Sequence, residues 1–183
     1  LATAALATAG LGVAAYQAYA QLPDVSVLAD YQPKLPLRVY TRDGVLLGEF
    51  GEERRNLTPI AEIPQVMKDA VLAIEDQRFY THDGVDYMGM LRAAVANLGR
   101  SRSQGASTIT MQVARNMFLS SEKTYARKLR EVLLTFKLER ALSKDQILEI
   151  YMNQIFLGHR AYGFAAASEV YFGRQLKDVT IAQ

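Results

Sequence analysis

The run Thr124-Tyr-Ala-Arg-Lys-Leu-Arg-Glu-Val-Leu-Leu-Thr-Phe-Lys-Leu-Glu-Arg-Ala-Leu142 contains neither Pro nor Gly. Its apolar residues Leu129, Val132, Leu133 and Phe136 fall at i, i+3, i+4 and i+7, one stripe of an amphipathic helix. The pattern predicts a long helix from Thr124 to Leu142 with that stripe facing the core. Downstream, Ser143-Lys-Asp-Gln146 reads as a capping box that opens another helix, with Ile147, Leu148, Tyr151 and Ile155 inward and Gly158 at its end. Phe164 to Tyr171 reads as a further helix stopped at Gly173. Upstream, helices are predicted from Thr108 to Phe118 and from Tyr87 to Leu98. Another follows Pro64, where Val66, Met67, Ala70, Val71, Ala73 and Ile74 recur at helical spacing and deliver Glu75 and Asp76 to the C-terminal end. Ahead of these, Leu37 to Thr41 and Val45 to Phe50 flank Asp43-Gly44, a hairpin signal. The expected fold is mainly α with one small N-terminal β-hairpin.

Composition narrows the chemistry. Half of the 183 residues are hydrophobic and 22% are charged, enough for one core and unlike a disordered tail. With no Cys and two His, disulfides, thiolate metal sites and a cysteine nucleophile are excluded and a His-rich metal cage is disfavoured. Carboxylates, hydroxyls, amides and cations remain. Leu1 in place of Met, and an end at Thr180-Ile-Ala-Gln183 without a helix stop signal, suggest a fragment.

No acidic or basic side chain occurs from Leu1 to Pro23. About 20 residues at ~1.5 Å rise cross the ~30 Å hydrocarbon layer of a bilayer. Residues 1–23 are therefore expected to form one transmembrane anchor, with Tyr16 and Tyr19 suited to an interface. Asp24 and Asp30 follow, without the Lys/Arg excess of a cytoplasmic flank, so the remainder is expected to face outward, away from the cytoplasm. Residues 24–50 would be linker and hairpin, and residues 51–183 the main domain.

The net charge of +2 hides a strong asymmetry: residues 100–144 hold ten Lys or Arg against three Glu, and the rest of the chain sums to −5. Gln112, Arg115 and Asn116 share one helix face, and Arg127 and Lys128 stand within one turn of Glu131. These faces converge near Gly105-Ala-Ser-Thr108, a turn opening a helix, which suits an anionic, phosphate-bearing ligand. Nucleic acid fits poorly, since no aromatic-interleaved basic stripe is present. A phosphorylated lipid fits better. The stretch Val85 to Leu98 has the apolar area of an interfacial helix, though core packing explains it equally well.

Glu75-Asp-Gln-Arg-Phe79-Tyr-Thr-His82-Asp-Gly84 resembles the first signature of the bacterial peptidoglycan glycosyltransferases, glycosyltransferase family 51. Gly105-Ala-Ser107-Thr108-Ile-Thr110-Met-Gln112 is similar to the second and Arg127-Lys128-Leu-Arg-Glu131 to the third. Lys144-Asp-Gln-Ile147-Leu148-Glu149-Ile-Tyr151-Met-Asn153 is similar to the fourth, and Gly158 to Gly163 with Tyr171-Phe172-Gly173 to the fifth. Gly48-Glu-Phe-Gly-Glu-Glu-Arg-Arg55 further resembles the bifunctional class A penicillin-binding proteins, whose C-terminal transpeptidase domain would be missing here.

The resemblance implies a lysozyme-like helical domain in the bacterial inner membrane that polymerises lipid II with inversion. Its partners would be the lipid II donor, the growing glycan acceptor, phosphoglycolipid inhibitors such as moenomycin, and cell-wall synthesis proteins. An attacking alcohol needs a base, whereas a leaving pyrophosphate needs cations more than a strong acid. On that resemblance Glu75 is the general base, and Glu131 organises the donor side through cations, a hydroxyl or a divalent metal, magnesium or manganese; no covalent cofactor is expected. Arg115, Lys123, Arg127, Lys128 and Arg130 match the cationic donor site, although positions 127, 128 and 130 point in three directions on one helix. Asp76, Gly84, Asn116, Ser107, Thr108 and Gln112 match substrate-contact positions, and Thr108 is also a natural helix cap. His82 is expected to orient a neighbour by hydrogen bonding and Phe79 to be core or cleft wall. Met111 departs from the family's glutamine. Two other readings compete: a lysozyme-like lytic enzyme that cleaves glycan, and a non-enzymatic membrane scaffold.

Overall fold

The computed structural model describes residues 16–17, 19–29, 32–33, 35–97, 105, 107–122, 124–180 and 182–183. The protein is mainly helical, with six α-helices among the described residues: α1 (Gln65–Glu75), α2 (Tyr87–Asn97), α3 (Ile109–Phe118), α4 (Tyr125–Ala141), α5 (Lys144–Gln154) and α6 (Phe164–Phe172). Two small sheets accompany them. β1 (Leu37–Tyr40) and β2 (Leu46–Phe50) pair antiparallel, and β3 (Arg54–Arg55) pairs parallel with β4 (Ala161–Tyr162).

The helix boundaries follow local chemistry. Thr108 caps α3 by accepting from the Met111 N–H at 3.2 Å, and Thr124 caps α4 by accepting from Arg127 at 3.1 Å. The capping box at α5 is complete, the Ser143 hydroxyl accepting from the Gln146 N–H and the Gln146 side chain from the Ser143 N–H. Gly173, at φ 62°, closes α6 in the left-handed region that favours glycine. The expected hairpin forms around Thr41 to Val45, with Gly44 at φ 85° and a bulge between Val39 and Tyr40.

α3, α4 and α5 pack together as the centre of the molecule, burying Ile109, Val113, Leu134, Leu138, Ile147 and Leu148. Here the predicted stripe on α4 is displaced. Leu129 is 58% exposed and Val132, Leu133 and Phe136 are half-buried, whereas Glu131, Leu134, Thr135 and Leu138 are buried. Their spacing is also i, i+3, i+4 and i+7. The helical period was legible, but the inward face carries a carboxylate and a hydroxyl, Glu131 and Thr135. Gly158 does not end α5, which stops at Gln154; Gly158, at φ 90°, turns the chain toward β4.

The anchor expected at 1–23 falls mostly on residues 1–15 and 18, outside the described residues. Among the described residues no helix is long and apolar enough to cross a membrane. The end of the expected anchor and the start of the expected linker are packed chain: Leu22, Val25 and Leu28 are buried in the main core, and the Lys137 ammonium donates to the Pro23 carbonyl at 2.8 Å. The β3–β4 pairing was not anticipated, because two-residue strands carry no periodicity.

Candidate active site

Helix α1 ends on Glu75 because Asp76 leaves the helical region (φ −160°, ψ 76°) while its N–H still bonds the Leu72 carbonyl at 3.0 Å. That break sends two adjacent carboxylates in different directions. Glu75 is exposed, lines a cleft of about 580 Å³, and accepts a hydrogen bond on Oε2 from the Gln112 amide at 2.8 Å. No hydrogen bond reaches its Oε1 among the described residues. Asp76 is 6% exposed and accepts on Oδ2 from the Ile109 N–H at 3.1 Å, at the positive N-terminus of α3. It also accepts from His82 Nε2 at 2.9 Å.

The His82 ring is fixed from both sides. The Gly84 N–H points at Nδ1 at 3.1 Å, so Nδ1 accepts and the proton belongs on Nε2, facing Asp76. Gly84 sits at φ 89°, and a Cβ there would lie 2.5 Å from Thr135 Cγ2 and 2.8 Å from Glu139 Cγ. Its carbonyl accepts from the Thr108 hydroxyl at 2.6 Å. Thr108 thus joins the first and second sequence motifs as well as capping α3. Phe79 is fully buried, edge-on to Tyr80 and His82.

Across the cleft from α1, α3 contributes Gln112 and half-buried Arg115. A second hollow of about 210 Å³ shares Met90 and Ser107 with the cleft and is otherwise lined by Val85, Tyr87, Met111, Lys128 and Val132. Lys128 Nζ lies 3.2 Å from Ser107 Oγ and 3.8 Å from Met111 Sδ, so Met111 forms apolar wall at the family's glutamine position. Lys128 also pairs with Glu131 Oε1, while Arg127 Nη1 holds Glu131 Oε2 at 2.8 Å. Glu131 itself has no exposed surface. Arg127 Nε is buried without a hydrogen-bond partner, and the Arg127 side chain is 16% exposed, so this guanidinium serves Glu131 before anything in the cleft.

With both oxygens of Glu131 held by cations, a divalent ion there would sit beside two positive charges. Among the described residues no group of three or more acidic or histidine side chains could hold a metal. The donor set at Glu131 therefore does not fit a magnesium or manganese ion. Arg130 and Asn116 are exposed and line neither hollow. Lys123 and the loop around Arg100 and Arg102 lie outside the described residues.

Two pairings escaped the sequence reading. Arg78, inside the first motif, grips Asp86 through both Nε, at 3.1 Å, and Nη2. Asp86 in turn accepts from the Gly89 N–H at 2.7 Å at the start of α2, and Arg78 chiefly, despite burial, holds its carboxyl below the ordinary carboxylate range. Glu139 and Lys144 pair at 2.8 Å beneath the 79–84 loop. The signal was present only as charges at the end of one helix and the start of the next. Tyr151, on α5, has its hydroxyl pushed up to about 12 by burial and then by the Glu75 charge.

The family model described as Transglycosylase matches residues 43–183. Penicillin-binding protein 1A of Neisseria gonorrhoeae is 52% identical over 174 residues, 94% of this chain and 22% of that protein. Penicillin-binding protein 1A of Escherichia coli (strain K12) is 50% identical over 162 residues, 88% of this chain and 19% of that one. The chain thus spans 22% or less of the length of these curated relatives. The crystal structure of penicillin-binding protein 1A from Haemophilus influenzae aligns at 25% identity over 83% of this chain and 13% of that chain, with a TM-score of 0.33, too low to bear on the fold. Resting on the match across 43–183, which takes in every motif that meets at the cleft, the chain belongs to the transglycosylase family.

Proposed function

We propose that this domain is a peptidoglycan glycosyltransferase that polymerises lipid II, with Glu75 as general base. The carrying observation is that Glu75 shares one cleft with Arg115 on the facing helix, one oxygen held by Gln112 and the other open. The 4-hydroxyl of an acceptor sugar would give its proton to Glu75 as its oxygen attacks the anomeric carbon. The anomeric C–O bond breaks with inversion, and the bonding electrons leave with undecaprenyl pyrophosphate. Arg115 and Lys128, the second oriented by Glu131, offset the charge gathering on that leaving group. Asp76, His82, Thr108 and Gly84 hold the two halves of the site in register, and Ser107 sits at the junction of the two hollows. On the same reading the architecture is lysozyme-like, the apolar stretch ahead of Leu22 anchors the chain in the bacterial inner membrane with the domain on the periplasmic side, and moenomycin-like phosphoglycolipids compete for the cationic site. The full-length protein would add a transpeptidase.

Most glycosidases use a proton donor and a second free carboxylate. Of the acidic residues lining the cleft, Asp76 is committed to His82 and Ile109 and Asp86 to Arg78, which leaves Glu75 alone. Glu75→Gln tests the role. Polymerisation of lipid II should fall ~10²–10⁴-fold, the usual contribution of a positioned base, with the fold intact. Normal turnover by that variant, or shortening of preformed sacculi by the wild type, would refute the assignment.

A further inference from the structure

Lys144 and Glu139 lie outside both hollows, yet their ion pair is mostly buried, with side chains 21% and 10% exposed. The Lys144 ammonium stands 4.5 Å over the face of Phe79, the buried centre of the 79–84 loop. Glu139 Oε1 takes hydrogen bonds from Lys144 at 2.8 Å and from the Thr110 hydroxyl at 2.5 Å. Thr110 lies on α3, two residues before Gln112, the residue that holds Glu75. The stem of Glu139 presses on Gly84, whose N–H sets the His82 tautomer and whose carbonyl takes the Thr108 hydroxyl. One ion pair therefore underlies both supports of the catalytic carboxylate: the loop that fixes His82 and Asp76, and the helix that presents Gln112.

From this geometry we infer that Lys144 and Glu139 are positioning residues for the reaction, acting through Thr110 and Gln112 on one side and through Phe79, Gly84 and His82 on the other. The inference rests on the glycosyltransferase reading above. Solvent-exposed ion pairs contribute little, but here removing one partner strands the other charge against Phe79 and Thr110. Stranding the charge tilts α3 against the 79–84 loop. The Gln112–Glu75 hydrogen bond then fails before the protein unfolds.

The test uses the full-length protein with lipid II, comparing Lys144→Met, which keeps the stem over Phe79, Glu139→Gln, the double variant, and Lys144→Arg. Each single change should lower kcat about tenfold per folded molecule with KM within about twofold, the signature of lost transition-state alignment. The double variant should be no worse than either single one, because both break the same link. Lys144→Arg should recover most of the loss. Hydrogen exchange at the Gly84 and Ile109 amides supplies a readout without turnover, and should speed by at least about tenfold in Lys144→Met while helix amides elsewhere in α5 stay protected. An unchanged kcat per folded molecule, a rise in KM alone, additive losses, or unaltered exchange at both amides would overturn the inference. Wild-type protein that does not polymerise lipid II, with exchange responding as described, would instead sink the glycosyltransferase reading and leave the brace standing.

Discussion

Asp76 is the residue on which the site turns, and its neighbour explains why. Placed at the end of α1, the pair 75–76 splits into one exposed carboxylate that meets the cleft and one buried carboxylate that binds the N-terminus of α3. By motif Asp76 matches a substrate-contact position, and motif position distinguishes neither burial nor direction. Asp86 shows the same bias at the next turn. Its carboxyl is held low by Arg78 and by the Gly89 N–H, and Gly89 is needed because a Cβ there would fall 2.3 Å from Asp86 Oδ2. The sign of the pH effect follows. With the folded pKa below the unfolded value of about 3.9, the pair's contribution is complete above that value and is lost as pH falls through the folded pKa. Thermal unfolding measured from pH 6 down to about pH 2 should therefore steepen in the wild type below about pH 4, while Asp86→Asn gives a flatter curve.

Among the elements, α4 separates what the sequence discloses from what it conceals. Its length and its period were legible, and so were the Ser143 box of α5 and the Gly173 stop of α6, whereas Thr124, expected as the first residue of the helix, is its cap. The azimuth of α4 was not. Two stripes share the same spacing, and the more apolar one, Leu129 to Phe136, loses to the one carrying Glu131 and Thr135. Burying Glu131 is tolerated because Arg127 and Lys128 arrive from the same helix, and burying Thr135 because its hydroxyl donates to the Glu131 carbonyl at 2.8 Å. A paired comparison checks this azimuth. Leu134→Ala should cost about 2–5 kcal/mol in denaturant unfolding, as expected of a fully buried leucine. Leu129→Ala should stay within about 0.5 kcal/mol, as for an exposed one. Equal costs would return the inward face to the stripe read from the sequence.

At the scale of the whole molecule, apolar surface is left uncovered next to the cleft. On α2 only Ala93 is buried among the apolar residues, while Tyr87, Met88, Leu91 and Val95 are each at least 60% exposed. The exposed face of α2 among the described residues suits an interfacial helix, whereas Val85, just ahead of α2, is buried as core packing requires. Replacing Leu91 and Val95 by Asp should raise KM for lipid II in vesicles about tenfold, equivalent to ~1.4 kcal/mol and well within what two apolar side chains contribute on burial. The KM for detergent-dispersed lipid II should not move. Equal effects in both would mean the helix contacts substrate and not membrane.

The segment that leads into the helical domain is bound tightly. Arg55 donates to Gln154 at 2.8 Å and stacks on Tyr162 at 4.4 Å, Asn153 clasps both backbone groups of Thr58 at 2.9 Å, and the Ile60 N–H donates to Glu149 at 2.6 Å. Residues 54–60 are thus laced along α5 and β4, where the fourth and fifth motifs lie. A pull on the chain ahead of them therefore meets the last turns of α5 through these bonds before it meets any loop.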